Sequence, residues 1–344
     1  MVKKLLHLRL LIGLSLLFAA SDLAFGQVSF KGKVVTFIVG ASPGGGFDTY
    51  TRAIARHFGK HVSGNPVTIV QNMPGAGTLI AANYMYNKAK PDGLTVGLFS
   101  GSMIFKHVMG EKGVRFDGRK FNWLGTPSPE RHVCVLTEKI GIKSLDEWRA
   151  AKQPIKIGSL GPGNSTSAFP HLLRVILGLP IQVIEGYRGT AKIRLAAESG
   201  EIHGACWGWD SIKVTWAKAV ESGFVRPIIQ TTLEPHPDLK HVPVAIKYAK
   251  TEEDRELFRF AARAYGPSAI AYSVPPRIPQ DRLEIMQKAF METLKDPEFL
   301  ADMRRIKLAV SPIDGPTISN IIADLYKVNP ELLTRFKVIT MSAK

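Results

Sequence analysis

The sequence predicts an α/β protein made of two similar blocks that face each other across a cleft. Short apolar, β-branched runs alternate with amphipathic segments, first over residues 34–99 and again over 155–206. In each block a glycine-rich turn follows the first strand. Strand–helix–strand order favours parallel neighbours with helices on the sheet faces. We therefore expect two lobes, each a mostly parallel sheet flanked by helices, with a ligand cleft between them.

The first block contains three predicted strands and two predicted helices. The run VVTFIVG at 34–40 is apolar and ends in glycine, as a buried strand does. Helical periodicity follows at 48–60, where Ala53, Ile54 and Phe58 share one face. The next elements are strands at 67–71 and 94–99 and a helix at about 78–89.

The second block repeats this plan, with strands at 155–160, 181–184 and 202–206 and helices at 165–177 and 190–199. Segments 126–134 and 226–232 contain proline and indicate extended crossovers between the lobes. Further helices are expected at 281–295 and 316–326. The predicted division is 27–127 plus 231–344 for lobe 1 and 128–230 for lobe 2.

The composition is that of a globular protein with a large basic excess. The 344 residues include 45 Lys and Arg against 29 Asp and Glu, with a net charge of +16 and 45 % hydrophobic residues. The apolar content argues against a disordered chain. Two cysteines are too few for a four-thiolate metal site. The charge leaves nucleic acid, an anionic membrane surface or an acidic ligand as partners.

Residues 1–26 are expected to be a cleaved signal peptide. Lys3, Lys4 and Arg9 precede the apolar run 10–20, and the small residues Ala24 and Gly26 place the cut before Gln27. The apolar run is well short of the ~20 residues that a membrane-spanning helix needs. Export argues against a nucleic-acid partner.

The turn after the first strand, loop 1 (residues 40–49), is a candidate anion site. Gly44, Gly45 and Gly46 let the backbone approach a ligand closely, and Asp48 or Thr49 caps the helix that follows. Loop 1 is similar to a phosphate-binding P-loop, but its ending Gly-Phe-Asp lacks the required lysine and hydroxyl. Nucleoside triphosphate binding is therefore not expected.

Loop 2 (residues 158–167) occupies the corresponding place in the second block. It has glycines for close approach and then Asn164, Ser165 and Thr166, which are neutral donors at a helix N-terminus. It lacks the last glycine and the acidic residue of a dinucleotide fingerprint. Two donor-rich loops on opposing lobes predict a clamp for a carboxylate. Neither loop contains lysine or arginine, so we interpret the basic excess as a diffuse field that attracts anions.

Several segments, in order along the chain, resemble the signatures of tripartite tricarboxylate transporter receptors, the Bug proteins. Segment 42–52 resembles their PGGxxDxxAR motif, 70–77 their NxPGAG segment and 89–95 their AxPDGxT segment. Segment 161–165, with His171 and Leu172, is similar to their GxGS…HL loop. Tyr187-Arg188-Gly189 stands where they usually have PYKG.

This resemblance implies a type II periplasmic-binding-protein fold that closes on a ligand between two lobes. The implied function is that of a periplasmic receptor, expected to be monomeric and without catalysis, cofactor or metal. It would deliver a small carboxylate to a membrane permease. The ligand would be a di- or tricarboxylate, an acidic amino acid or an aromatic acid.

The resemblance also implies the binding residues. Asp48 is expected to cap a helix or hold a water molecule, because a bare carboxylate repels an anion. The candidate set, completed by two residues that follow later strands, is Ser42, Gly44, Gly45, Gly46, Asp48, Thr49, Ser159, Gly161, Gly163, Asn164, Ser165, Thr166, Tyr187 and Asp210.

Two other functions stay open at this point. An exported enzyme on the same scaffold would need a nucleophile and a base, for which Ser159 and His171 are the available pair, without an acid to orient them. No Gly-x-Ser-x-Gly or His-Glu-x-x-His signature occurs. A sensor subunit that presents its ligand-bound form to a signalling membrane protein is the other alternative.

Three side-chain pairs have two interpretations each. His57 and His61 have the spacing of a metal pair on a helix, but a solvated helix face is the better interpretation. Cys134 and Cys206 either bridge or stay free, since the sequence fixes no distance between them. Trp207 and Trp209 either stack on a planar ligand or pack in the core.

Overall fold

The computed structural model describes residues 28–341. The predicted signal peptide lies outside this range. Within the range, no helix has both the length and the apolar character needed to cross a membrane.

The strands form two sheets. In chain order they are β1 Val34–Val39, β2 Val67–Asn72, β3 Thr95–Leu98, β4 Asn122–Thr126, β5 His132–Thr137, β6 Ile155–Gly158, β7 Ile181–Ile184, β8 Gly204–Gly208, β9 Val225–Gln230, β10 Tyr272–Val274 and β11 Ile313–Asp314. Sheet A has the order β11-β4-β10-β3-β1-β2, and sheet B has the order β7-β6-β8-β5-β9. Each predicted block therefore contributes its strands to a sheet of its own.

Helices pack around these sheets. They are α1 Gly46–Phe58, α2 Leu79–Asn87, α3 Ser102–Val108, α4 Leu145–Arg149, α5 Ser165–Leu177, α6 Thr190–Ser199, α7 Trp209–Thr215, α8 Ala217–Glu221, α9 Glu252–Tyr265, α10 Gln280–Lys295, α11 Pro297–Arg305, α12 Gly315–Leu325 and α13 Pro330–Met341. The bounds of α5, α6 and β7 are those predicted. At α5 the reason is plain, because Asn164 caps its N-terminus and Gly178, with a positive φ of 68°, ends it.

The α/β class and the two-lobed plan are confirmed, but the sheets are mixed rather than mostly parallel. In sheet A, β1 pairs parallel with β2 and β3, whereas β10 enters between β3 and β4 and runs antiparallel to both. In sheet B, β5 is antiparallel to β8 and β9. The parallel pairs within each block are those that the strand–helix repeats predicted. The antiparallel pairs involve strands that follow a crossover between lobes, where no helix of the repeat sets the direction.

The segment 226–232, predicted as a crossover, is mostly strand β9. Pro227 made a strand improbable from sequence, since proline cannot donate a ladder hydrogen bond. The structure places β9 at the edge of sheet B, with a register shift against Cys134 and Val135 beside the proline. An edge position with an irregular register tolerates the missing N–H. The chain leaves sheet B only after Gln230.

The last part of the chain contacts both sheets. Helices α10 and α11 pack on α1, and Phe290 lies in the same apolar cluster as Phe37 and Phe58. Helices α9 and α13 instead pack on α5, with Phe336 and Phe169 in another cluster. The C-terminal helix therefore covers the second sheet's side of the molecule. The lobe boundaries within 231–344 stay a prediction.

Cys134 and Cys206 form a disulfide, which the sequence left open. The two residues are directly opposite each other on the antiparallel strands β5 and β8, with Cα atoms 4.0 Å apart. Both are fully buried. They are 72 residues apart in sequence, so the bridge closes a long loop and restricts the unfolded chain strongly.

We predict that replacing both cysteines by alanine lowers the free energy of unfolding by about 2–5 kcal/mol, because the unfolded chain regains the entropy of that loop. Urea unfolding monitored by circular dichroism measures the change. Dithiothreitol should lower the unfolding midpoint of the native protein and leave that of the double variant unchanged. Equal midpoints for the native protein with and without reductant would contradict the assignment.

Candidate functional site

A cavity lies where loop 1 and loop 2 meet between the two sheets. The space inside it that is open to the centre of a water-sized sphere is about 30 Å³. Residues from both sides line it, together with one residue of the crossover between β4 and β5: Ala41, Gly45, Gly46, Phe47, Ser100, Glu130, Leu160, Asn164, Ser165, Thr166, Thr190, Trp207 and Ser211. Predicted loops 1 and 2 are thus brought together, as the repeated strand–turn–helix pattern indicated.

The Asp48 carboxylate holds loop 1 in shape. Its Oδ2 accepts hydrogen bonds from the Gly44 N–H and the Arg52 Nε, both at 2.9 Å, and its Oδ1 accepts from Asn72 Nδ2 at 3.0 Å. Asn72 also donates to the Ala41 carbonyl at 2.8 Å. Asp48 is 4 % exposed and does not line the cavity. Its carboxylate is therefore a scaffold for the loop.

The electrostatics of Asp48 follow from these contacts. Burial by itself raises the pKa of Asp48, but hydrogen bonds from Arg52, the Gly44 N–H and Asn72 outweigh burial and lower the pKa below its ordinary value. Asp48 is therefore ionised at neutral pH.

Loop 2 is held by bonds among its own polar groups. Thr166 Oγ1 accepts from the Leu160 N–H at 3.0 Å and contacts Asn164 Oδ1 at 3.0 Å. Ser159 Oγ accepts from the Gly161 N–H at 3.1 Å. These hydroxyls, expected to serve a ligand, are already engaged in shaping the loop. Ser159 Oγ contacts Thr166 and not His171, so the nucleophile–base pair considered for an enzyme is not formed.

Direct contacts join the two sides of the cleft. Ser42 donates twice to the Arg188 carbonyl, from its N–H at 3.1 Å and from its hydroxyl at 3.0 Å. A Cβ added at Gly45 would lie 2.6 Å from Thr190 Oγ1, and one added at Gly46 would lie 2.2 Å from Ser211 Oγ. Gly45 and Gly46 are required because the opposite lobe leaves no room for a side chain at either position.

Two buried donors in the cavity wall have no partner among residues 28–341. They are the Ser211 hydroxyl and the Trp207 indole N–H. The Trp207 ring stacks on Trp216, with ring centroids 5.9 Å apart and planes 8° apart, which fixes its orientation. Trp209, the other tryptophan, points its N–H to Asp238 and does not line the cavity. Unpaired buried donors are destabilising unless a ligand or water accepts from them.

Sequence reasoning missed several lining residues, among them Ser100, Thr190 and Ser211. A signal for Ser211 was present: like loops 1 and 2, it stands where a strand (β8) ends and a helix (α7) begins. Thr190 likewise stands at the first position of α6. Extending the strand-to-helix rule to every turn of both blocks would have found both.

The predicted residues divide into two groups. Gly45, Gly46, Asn164, Ser165 and Thr166 line the cavity. The others do not line it, and for them a ligand role stays a prediction: Ser42, Gly44, Asp48, Thr49, Ser159, Gly161, Gly163, Tyr187 and Asp210.

The side chains of Tyr187 and Asp210 contact residues outside the cavity lining. The Tyr187 hydroxyl donates to Glu201 Oε1 at 2.6 Å, and Asp210 Oδ1 lies 2.8 Å from Lys213 Nζ. Burial by itself raises the pKa of Asp210, but the His236 and Lys213 side chains outweigh burial and lower it.

His57 of α1 and His61, which lies just beyond the end of that helix, belong to a hydrogen-bonded network on another surface. His57 Nε2 lies 3.0 Å from Asp302 Oδ2, and His61 Nε2 lies 2.8 Å from Asp296 Oδ2. His57, Asp296 and Glu298 are close enough together to hold a metal ion. Lys60 Nζ, however, contacts Asp296 at 2.8 Å and Glu298 at 2.7 Å and already supplies the positive charge.

We predict that Asp48→Ala lowers the free energy of unfolding by about 2–3 kcal/mol at pH 7, because buried groups of loop 1 lose their acceptor. Since the folded pKa is lowered, the stabilisation by Asp48 is full above the unfolded pKa of about 3.9 and is lost as the pH falls through the folded pKa. Urea unfolding of both proteins across this pH range measures the difference, which should shrink in acid.

Asp324→Ala is the matched control, because the one side-chain contact of Asp324 within residues 28–341 is an exposed pair with Lys327. It should leave stability within about 0.5 kcal/mol of the native value. A loss for Asp48→Ala no larger than that of this control would contradict the scaffold role.

Comparison with known proteins adds solved structures only, since no family model and no curated protein matches the sequence. The periplasmic binding protein BugD superposes with a TM-score of 0.73 over 90 % of this chain and 98 % of its own, at 18 % identity. MatC from Rhodopseudomonas palustris with bound malate gives 0.68 over 89 % and 98 %, at 18 % identity. Another R. palustris protein, solved with adipate, gives 0.70 over 89 % and 97 %, at 18 % identity.

These likenesses confirm the resemblance to Bug receptors at the level of the fold. The chain has the two-lobed α/β fold of periplasmic binding proteins.

Proposed function

We propose that this protein is a periplasmic solute-binding receptor of the tripartite tricarboxylate transporter type. It captures a small organic carboxylate between its lobes and delivers it to a membrane permease. The ordered sequence motifs support the type of receptor, and the fold shared with BugD and MatC supports the binding role. No step of bond making or breaking is part of this function.

The observation that carries the proposal is the pair of unpartnered donors in the cavity. Ser211 Oγ and Trp207 Nε1 are buried and lack an acceptor among residues 28–341. A carboxylate is an acceptor-only group with two oxygens, and each oxygen can accept from a donor of this kind. Hydrogen bonds to a charged acceptor are stronger than neutral ones. The wall contributes no lysine or arginine, so the neutral donors carry the recognition of the carboxylate.

Closure of the lobes completes the site. The cavity takes its lining from both sheets, and loop 1 lies against Thr190 and Ser211 of the other lobe. We expect this contact to form only when the lobes approach. A ligand that bridges the two sides therefore binds the closed form more tightly and shifts the population toward it. The closed form is then the species that the permease recognises. A sensor role would use the same closing step with another membrane partner.

We predict that Ser211→Ala weakens binding of a carboxylate ligand by about 10- to 100-fold, since a hydrogen bond to a charged group contributes about 1.5–3 kcal/mol. Isothermal titration calorimetry against a panel of di-, tri- and amino-carboxylates measures the dissociation constants. Ser199→Ala, a change on the exposed end of α6, is the matched control and should bind as the native protein does. If no carboxylate of the panel binds the native protein, the proposed function is wrong.

A second prediction concerns the contact of Gly45 with Thr190. Gly45→Ala should weaken carboxylate binding about tenfold or more, because its Cβ would lie 2.6 Å from Thr190 Oγ1 in the closed form. In a Thr190→Ala background the same change should have little effect, because the clashing oxygen is gone. Calorimetry on the four proteins of this cycle measures the coupling. Equal losses in both backgrounds would contradict a closing contact at this position.

A further inference from the structure

A second concave surface, the basic groove, lies along the edge of sheet B. Segments 143–146, 220–228 and 235–248 supply nearly all of its lining, and the edge strand β9 runs along it. Its described lining residues are all different from those of the cavity between the lobes. The space inside it that is open to the centre of a water-sized sphere is about 940 Å³, against about 30 Å³ in that cavity.

The walls of the basic groove carry cationic side chains that have no acidic partner. Four of them are exposed: Lys143, Arg226, Lys240 and Lys247. Among residues 28–341, no carboxylate oxygen lies within 4.0 Å of the charged nitrogens of these four side chains. Their charges are therefore available to a partner.

The two acidic side chains of the groove are, by contrast, already paired. Asp238 Oδ2 lies 2.8 Å from Lys213 Nζ, and Asp146 Oδ1 lies 3.0 Å from a terminal guanidinium nitrogen of Arg149. Neither Lys213 nor Arg149 belongs to the four unpaired cations. The groove therefore keeps an excess of positive charge.

The base of the groove is apolar and well packed. Val225, Leu239 and Val242 line it and belong to the buried cluster that contains Trp216. At one end the ring of Tyr248 is 42 % exposed, with the Arg149 guanidinium 5.9 Å from its centroid. An apolar base with a charged rim and an exposed tyrosine has the composition of a protein–protein interface.

The shape of the groove favours an extended polypeptide as its occupant. A flat membrane surface reaches projecting side chains but does not enter a recess with an apolar base. A single small anion contacts only part of a rim that three separate segments supply. Carboxylates spaced along an extended chain reach the rim cations while the rest of that chain lies in the recess. Pro227 has no N–H to donate, so we expect side chains to contribute more than strand addition to β9.

We propose that the basic groove binds an acidic, extended segment of a partner protein. The lining contains no strand residue of sheet A, so this docking does not require the lobes to close. The inference is independent of the proposed function, because it uses neither the cavity nor its ligand.

The test measures the binding of fluorescein-labelled octaglutamate to the purified protein by fluorescence anisotropy. The native protein should bind this peptide at low ionic strength and more weakly at physiological ionic strength, because salt screens exposed charges. Arg226→Glu combined with Lys240→Glu should weaken binding about tenfold or more, since like charges then face the peptide. Hydrogen–deuterium exchange should show protection by the peptide within 220–248.

The matched control is Lys88→Glu combined with Lys90→Glu, two exposed cations outside the groove. It changes the net charge by the same amount and should leave the affinity within about twofold of the native value. Arg226→Gln combined with Lys240→Gln should give a smaller loss than the glutamate pair, and it decides the test if that pair fails to fold. Circular dichroism checks the folding of each variant.

Three results would overturn the docking surface. The first is no detectable binding of octaglutamate to the native protein at low ionic strength. The second is an equal loss in the groove and control variants, which would assign binding to the net charge of the whole molecule. The third concerns vesicles of phosphatidylglycerol and phosphatidylcholine: if their binding depends on Arg226 and Lys240 while octaglutamate binding does not, the occupant is an anionic membrane. Each of these results leaves the carboxylate receptor standing.

Discussion

The Asp48 carboxylate connects loop 1, helix α1 and the end of strand β2. It accepts from the backbone of loop 1, from Arg52 on α1 and from Asn72 at the end of β2. Asn72 in turn donates to the Ala41 carbonyl, so the turn after β1 is attached to the neighbouring strand. Loop 1 therefore has one defined shape, with Gly45 and Gly46 presented to the other lobe. Thr190 and Ser211 in the opposite wall of the cavity lie against these two glycines.

The polar groups of the site divide into those that hold loop 2 in shape and those that have no partner. Ser159, Asn164 and Thr166 bond to one another or to the backbone of loop 2 and fix its path. Ser211 and Trp207 keep their donors free of partners within residues 28–341. A loop whose own bonds are satisfied loses little entropy when a ligand binds, and this preorganisation favours affinity. In the proposed function, the donors of Ser211 and Trp207 recognise the carboxylate.

Charge at the site differs from charge on the whole molecule. The chain carries a net charge of +16, yet lysine and arginine are missing from the described lining of the cavity and Glu130 is present. The basic residues therefore lie outside this lining, and in the proposed function their field attracts anionic groups toward the cleft. Inside, the lining contains neutral donors and one acid.

The sequence by itself determined the local elements and the two loops. Strand β1, helices α5 and α6 and the glycine-rich turns follow from apolar periodicity, capping residues and backbone freedom, which act between residues close in the chain. Only the tertiary structure decided the antiparallel entry of β10, the edge position of β9, the bridge between Cys134 and Cys206, and the arrival of Glu130, Trp207 and Ser211 in one cavity. These features join residues that are distant in sequence. Their distances depend on how two sheets and two crossovers pack, and no local pattern encodes that packing.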